Sequence, residues 1–212
     1  MTNDFTRPQI KICGLINTKD AHMVNKYLVN YAGMVLFFPK SKRNLTISQA
    51  KEVMSGLLPS IKKVAVTVSP TLSQVKEIEA AGFDILQVHG ELSEEVLSYT
   101  SLPIFRAYNI SDKTIPLQLE DEEKIAAYIY DGEIPGNGSS FDWNLLSPFR
   151  EQKKRRKKLI LAGGLHAGNI AGAIEIVHPD IVDVSSGVEN PDGTGKDEQK
   201  IKAFVDAVRL SL

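Results

Sequence analysis

A closed (β/α)8 barrel, the TIM-barrel class of α/β fold, is what three features of this sequence predict together. Short β-branched runs alternate with amphipathic or polar stretches along the 212 residues. Eight such runs occur, each followed by a helix or a helix-length gap, which is the pattern of parallel βαβ units. The ends of these runs collect glycine, serine and reactive side chains, and in such barrels the reactive residues sit where strands enter the following loops. A doubly wound open sheet is the architectural alternative. No Pro/Ser-rich linker or composition shift divides the chain, so residues 1–212 read as a single domain.

The elements follow in order. QIKIC (9–13) leads to a helix beginning near Thr18. GMVLFF (33–38) is followed by a helix from Thr46, whose hydroxyl suits an N-cap. KKVAVTV (62–68) precedes a helix after Pro70, where VKEIEAA has helical spacing. DILQVHG (84–90) is followed by a short acidic helix from Ser93. LPIFRAY (102–108) precedes a weakly patterned segment ending in EDEEKIA. AYIYD (127–131) runs into a Gly-rich loop and FDWNLLSPF. KLILAGG (158–164) precedes a helix through about Val177, and DIVDVSSG (180–187) precedes the final helix, KDEQKIKAFVDAVRL.

Composition narrows the function. The formal net charge is −1, which argues against a nucleic-acid binder. The run KKRRKK (153–158) therefore reads as a solvated helix end. The N-terminal MTNDFTRPQ lacks the apolar core of a signal peptide, and no apolar run is long enough for a membrane span. The single cysteine cannot form an internal disulfide, which suits a reducing, cytoplasmic compartment. The four histidines show no metal-ligand spacing, and His166 and His178 read as surface loop residues. Trp143 reads as packing beside the sixth strand's loop.

The last two strand ends, LAGG (161–164) and VSSG (184–187), carry a phosphate signal. Glycine lets backbone N–H groups approach an anion, and barrel enzymes often build a phosphate cradle from these two loops. Tight turns alone would use the same residues. The only cysteine, Cys13, ends the first strand, and Asp131 ends the sixth. Taken singly, these are a small core residue and a turn cap. Closure would bring both to one mouth. Strand alternation also puts Lys11 on the face of Cys13, and Asp183 on the face of Ser185. Strands eight and one become neighbours on closure, so an inward Lys11–Asp183 ion pair beneath the thiol is expected, either tuning the thiol or only fastening the barrel. The Lys11 cation would be expected to shift the thiol's pKa modestly downward.

These motifs together resemble the phosphoribosylanthranilate isomerase family of tryptophan biosynthesis. The likeness runs from about Ile10 to Phe204, through KICGL (11–15), FFPKSKR (37–43), LQVHG (86–90), Asp131 with GNGSSFDW (136–143), LAGGLHAGNI (161–170) and DVSSGVENPDGTGKD (183–197). The resemblance implies a (β/α)8 barrel, an Amadori rearrangement of a phosphorylated small molecule, and neither cofactor nor metal. It implies Cys13 as general base and Asp131 as general acid. Arg43 falls on the contact to the anthranilate carboxylate, Gly163, Gly164, Ser185, Ser186 and Gly187 on the phosphate loops, and Gln87 and His89 on a strand-four signature. A monomer or homodimer is expected. The sequence departs from the family pattern at Pro135-Gly136-Asn137-Gly138, at Val64-Ala65-Val66-Thr67 and at Leu36. An indole-glycerol-phosphate synthase would want a catalytic lysine–glutamate set, and a pentose-phosphate epimerase a metal; neither pattern is present. A non-catalytic phosphometabolite binder would need neither the thiol nor the carboxyl.

Overall fold

The structure, a computed structural model, describes residues 7–110, 123–132, 141–146 and 157–211. Eight parallel strands close into a barrel. They are β1 (Gln9–Cys13), β2 (Tyr31–Leu36), β3 (Lys62–Val68), β4 (Ile85–His89), β5 (Ile104–Ile110), β6 (Ile125–Gly132), β7 (Lys158–Leu161) and β8 (Ile181–Val184). Each pairs with its sequence neighbours, and β1 closes the ring by pairing with both β2 and β8. A two-residue extension, Asn44–Leu45, continues the sheet beside β2.

Six described helices accompany the strands: α1 (Thr18–Lys26), α2 (Ile47–Ser55), α3 (Leu72–Ala81), α4 (Glu94–Tyr99), α5 (Ile170–Val177) and α6 (Glu198–Leu210). Their starts are written locally. Thr46 with Gln49, and Thr71 with Gln74, form reciprocal capping boxes. Ser93 caps α4 alone, and the Asp197 carboxylate accepts from two N–H groups at the start of α6. Among the described residues no helix is long and apolar enough to cross a membrane.

Strand alternation sorts the apolar side chains into two cores. Outward residues such as Ile10, Ile12, Tyr128, Tyr130 and Val182 pack against the helices. Inward residues, among them Val64, Ile85, Phe105, Ile129, Ile160 and Ile181, fill the barrel interior. Above that plug the inward positions become polar, and there the site opens.

Several strand limits differ from the sequence reading, some for a clear backbone reason. β2 stops at Leu36 because Phe37 takes a left-handed φ of 56°. β7 stops at Leu161, before the left-handed pair Gly163 and Gly164 at 84° and 62°. β8 ends at Val184, and Ser186–Val188 coil into a 3₁₀ turn. β5 and β6 run longer than read, reaching Ile110 and Gly132. The expected loop Pro135–Gly138, most of the segment before β6, and the residues Lys153–Arg156 lie outside the described residues.

Candidate active site

The C-terminal ends of the strands surround a cavity of about 650 Å³, in the size range of small-molecule sites. Cys13 from β1, Gln87 and His89 from β4, and Asp131 from β6 all line it. So do Arg43 from the loop after β2, Gly163 and Gly164 after β7, and Ser185 and Ser186 after β8. Gly187 lies just off this wall. A Cβ there would come within 2.0 Å of the Leu165 carbonyl oxygen, so its lack of a side chain lets the last two loops touch.

The two loops offer N–H groups to an anion. Among the described residues, the N–H groups of Gly164, Ser186 and Gly187 donate to no protein acceptor. Asn169 braces the first loop: its amide donates to the Gly164 carbonyl at 2.9 Å and accepts from His166 N–H at 2.9 Å. The Ser185 hydroxyl donates to the Cys13 carbonyl at 3.0 Å, so it ties the second loop to β1 and leaves recognition to the backbone.

At the cavity floor the ion pair expected from strand alternation is present. Lys11 and Asp183 are register partners across β1 and β8, and Nζ donates to Oδ2 at 2.6 Å. The lysine is fully buried, and Asp183 Oδ1 is buried with no partner among the described residues. Burial alone would lower the Lys11 pKa; Asp183 and the neighbouring Cys13 turn the balance, and it rises.

The thiol corrects an expectation. Burial pushes the Cys13 thiol up, the Lys11 cation pulls it down, and Asp183 pushes it up again, with a net rise above the ordinary cysteine value. The downward shift anticipated from Lys11 is real as a contribution but is outweighed by desolvation. The Asp131 carboxyl is raised as well. Burial pushes its carboxyl up and the Asp183 charge adds to this, bringing it to about 7 against the opposing Gly132 N–H and Lys11.

Arg43 lies across Gly14, where a Cβ would meet its Cδ at 2.5 Å; Gly14 also turns the chain at a φ of 76°. Its guanidinium forks onto Glu189, with Nη2 to Oε2 at 2.9 Å and a second bond from Nε. Lys196 and Lys42 each reach the same carboxylate at 3.1 Å. Burial pushes the Glu189 carboxyl up, but the Arg43 hydrogen bonds and Lys196 bring it to about 2. Lys196 also donates to the Ser185 carbonyl at 3.2 Å. Glu189 and Lys196 were missed as site residues by sequence reasoning. Both lie in GVENPDGTGKD, and nothing local signals that they reach a residue more than a hundred positions away.

His89 and Gln87 form a buried pair, ring Nε2 to amide nitrogen at 2.9 Å. Burial and the Lys11 charge lower the His89 pKa to about 4, so the ring is neutral and accepts from the Gln87 amide. Beside Arg43 the wall is apolar, from Val35, Phe38, Val66 and Val68. Asn109, at the end of β5, also lines the cavity and was not singled out from sequence. Trp143 sits in a 3₁₀ turn packed against the outer core, His166 is exposed, and His178 caps α5.

The chain is similar to known proteins along nearly its whole length. The family model described as N-(5'phosphoribosyl)anthranilate (PRA) isomerase matches residues 10–207. The N-(5'-phosphoribosyl)anthranilate isomerase of Clostridium acetobutylicum is 40% identical over 208 residues, covering 95% of this chain and 98% of that one. The phosphoribosyl anthranilate isomerase structure from Thermus thermophilus superposes with a TM-score of 0.82 at 25% identity, covering 95% and 98% of the two chains. A phosphoribosyl anthranilate isomerase structure in complex with reduced 1-(o-carboxyphenylamino)-1-deoxyribulose 5-phosphate gives 0.77 at 28% identity, with the same coverage. On the strength of a family model that spans the barrel and a relative alike end to end, this chain belongs to the N-(5'-phosphoribosyl)anthranilate isomerase family.

Proposed function

We infer that this chain converts N-(5-phosphoribosyl)anthranilate to 1-(2-carboxyphenylamino)-1-deoxyribulose 5-phosphate in tryptophan biosynthesis, with Asp131 as general acid and Cys13 as general base. The observation that carries the residue assignment is a carboxyl held near neutral pKa and a thiol, on separate strands, facing one cavity with N–H-rich loops.

The steps follow from these positions. Asp131 gives its proton to the ring oxygen of the ribose as the C1–O bond breaks and the anilino nitrogen forms a C1=N iminium. Cys13, as thiolate, takes the proton from C2, and those electrons form a C1=C2 enamine while the iminium π pair returns to nitrogen. Loss of the C2 hydroxyl proton and protonation of C1 complete the ketone. The iminium cation favours the nearby thiolate, which offsets the desolvation that holds the free thiol protonated.

Phosphate binds at the N–H groups of Gly163, Gly164, Ser186 and Gly187. Arg43 and Lys42 take the anthranilate carboxylate, with the ring against Val35, Phe38 and Val66. Gln87 and His89 offer neutral polar atoms to the sugar. The whole of residues 1–212 acts as one catalytic domain in the cytoplasm, as a monomer or homodimer; light scattering after size exclusion decides the latter. The test of function is turnover of freshly made phosphoribosylanthranilate, followed by its falling fluorescence. A pure, folded protein that leaves the signal unchanged overturns the activity.

A further inference from the structure

Five residues of the cavity floor follow a single geometric rule. The strand register runs Tyr130–Leu161–Val182–Ile10 across β6, β7, β8 and β1. The next residue on each strand is Asp131, Ala162, Asp183 and Lys11, so these stand side by side on the inner face in that order. Cys13 lies two positions beyond Lys11 on the same face. Ala162, with its small side chain, separates the two aspartates. On the other flank Gly33 of β2 is the register partner of Cys13. A Cβ at Gly33 would lie 2.9 Å from Cys13 Sγ and 3.3 Å from Lys11 Nζ, so the thiol and the ammonium converge on the space this glycine leaves. The ion pair thus lies between the proposed base and the proposed acid, cation on the thiol side and anion on the carboxyl side.

We propose that Lys11 and Asp183 are positioning residues that act as an oriented charge pair, favouring thiolate at Cys13 and carboxylic acid at Asp131 at the same time. A pair that only fastened β1 to β8 would have no need of this orientation. The electrostatic balance agrees with the geometry. At Cys13 the pull of Lys11 exceeds the push of Asp183, and at Asp131 the order is reversed. The other charges facing these groups are Lys196 from the loop before α6, which draws the thiol down, and Arg43, whose charge is engaged by Glu189. His89, neutral, adds none.

The proposal rests on the acid and base roles given above, and it makes a specific demand on the pH profile. The free thiol titrates above the free carboxyl, so the productive form, thiolate with carboxylic acid, is a minor isomer of the dominant thiol with carboxylate. The acid limb of kcat/KM then reports Asp131 and the alkaline limb Cys13. The height of the bell falls about tenfold for every unit by which the limbs separate.

The deciding variant is Lys11→Met/Asp183→Asn, which removes both charges and leaves neither buried alone. The acid limb should move down and the alkaline limb up, each by about one pH unit, with the maximum lowered roughly 10–100-fold. The rate of iodoacetamide alkylation against pH, measured without substrate, should show the same upward move of the thiol. A bell that drops without widening, and an unmoved alkylation midpoint, would make the pair a structural clasp and overturn the proposal. If the double variant does not fold, Asp183→Asn alone is read by alkylation, and the midpoint must move down; a midpoint that stays or rises overturns it. Alkylation does not depend on turnover. A wild-type protein inactive on phosphoribosylanthranilate would therefore defeat the functional reading while this test still stands.

Discussion

Two charge clusters sit about the same cavity, one buried and one reaching solvent through Lys42, and they are built on opposite plans. On the floor one cation, Lys11, faces one anion, Asp183, and the sum is zero. At the rim one anion, Glu189, faces three cations, Lys42, Arg43 and Lys196, and the sum is +2. The chain as a whole carries −1, so this excess is local. A balanced pair can polarise neighbours without attracting ions of its own, which suits a place where protons move. An unbalanced cluster attracts anions, which suits the carboxylate contact proposed for Arg43 and Lys42. The difference teaches that, on the proposed assignment, the floor serves chemistry and the rim serves capture, and each can be disturbed separately.

The sharpest way to break the floor is Asp131→Asn. The amide keeps the shape and removes the acid, so kcat should fall about 10²–10⁴-fold with little change in KM, read in the fluorescence assay. Near-normal kcat would move the acid elsewhere. The same carboxyl leaves a mark on stability. Its folded pKa, about 7, is raised above the ordinary 3.8, so the native state holds a proton that the unfolded state has lost. Its contribution to stability therefore falls as pH rises from about 4 to about 7, and urea unfolding of Asp131→Asn should lose that fall.

The rim predicts the opposite sign. Glu189 is depressed from 4.5 to about 2, so its contribution is complete above about 4.5 and is lost as pH falls towards 2. Glu189→Gln should abolish that acid sensitivity. It should also cost roughly 3–5 kcal/mol of unfolding free energy, because it leaves the buried Lys196 without its anion. A cost near zero would mean that Lys196 sheds its proton, and the rim would then be less charged than described.

Smaller effects sharpen the contrast. Arg43→Ala should raise KM more than it lowers kcat, by about 10–100-fold in kcat/KM, the worth of a charged hydrogen bond of about 1.5–3 kcal/mol. A loss confined to kcat would put Arg43 with the floor. Thr71→Ala, in neither cluster, breaks the capping box of α3. It should cost about 1 kcal/mol in unfolding and leave kcat/KM unchanged.

The floor was largely legible in the sequence, and the rim was not. Inward alternation on two strands, with closure assumed, was enough to place Lys11 opposite Asp183, since both are read from a period of two. The cap at Thr46 is equally local. Glu189 and Lys196 reach Arg43 only through the path of an irregular loop, which no period describes. The sign of the thiol's shift was also hidden. Lys11 is visible as a neighbour, but the desolvation that outweighs it depends on how tightly the finished cavity closes around sulfur. Strand ends moved where a residue such as Phe37 took a left-handed angle that its side chain does not announce.

Gly33 has a consequence for how this gene tolerates change. Its backbone angle is not in the left-handed region, so any residue could adopt it. Only space forbids one: the first atom of any side chain would press on Cys13 Sγ and lie 3.2 Å from the Cys13 backbone. A screen for loss of tryptophan prototrophy should therefore score Gly33 alongside the proposed catalytic positions Cys13 and Asp131, even in exchanges as mild as Gly33→Ala. A residue with no functional group would then appear in the genetics as though it had one.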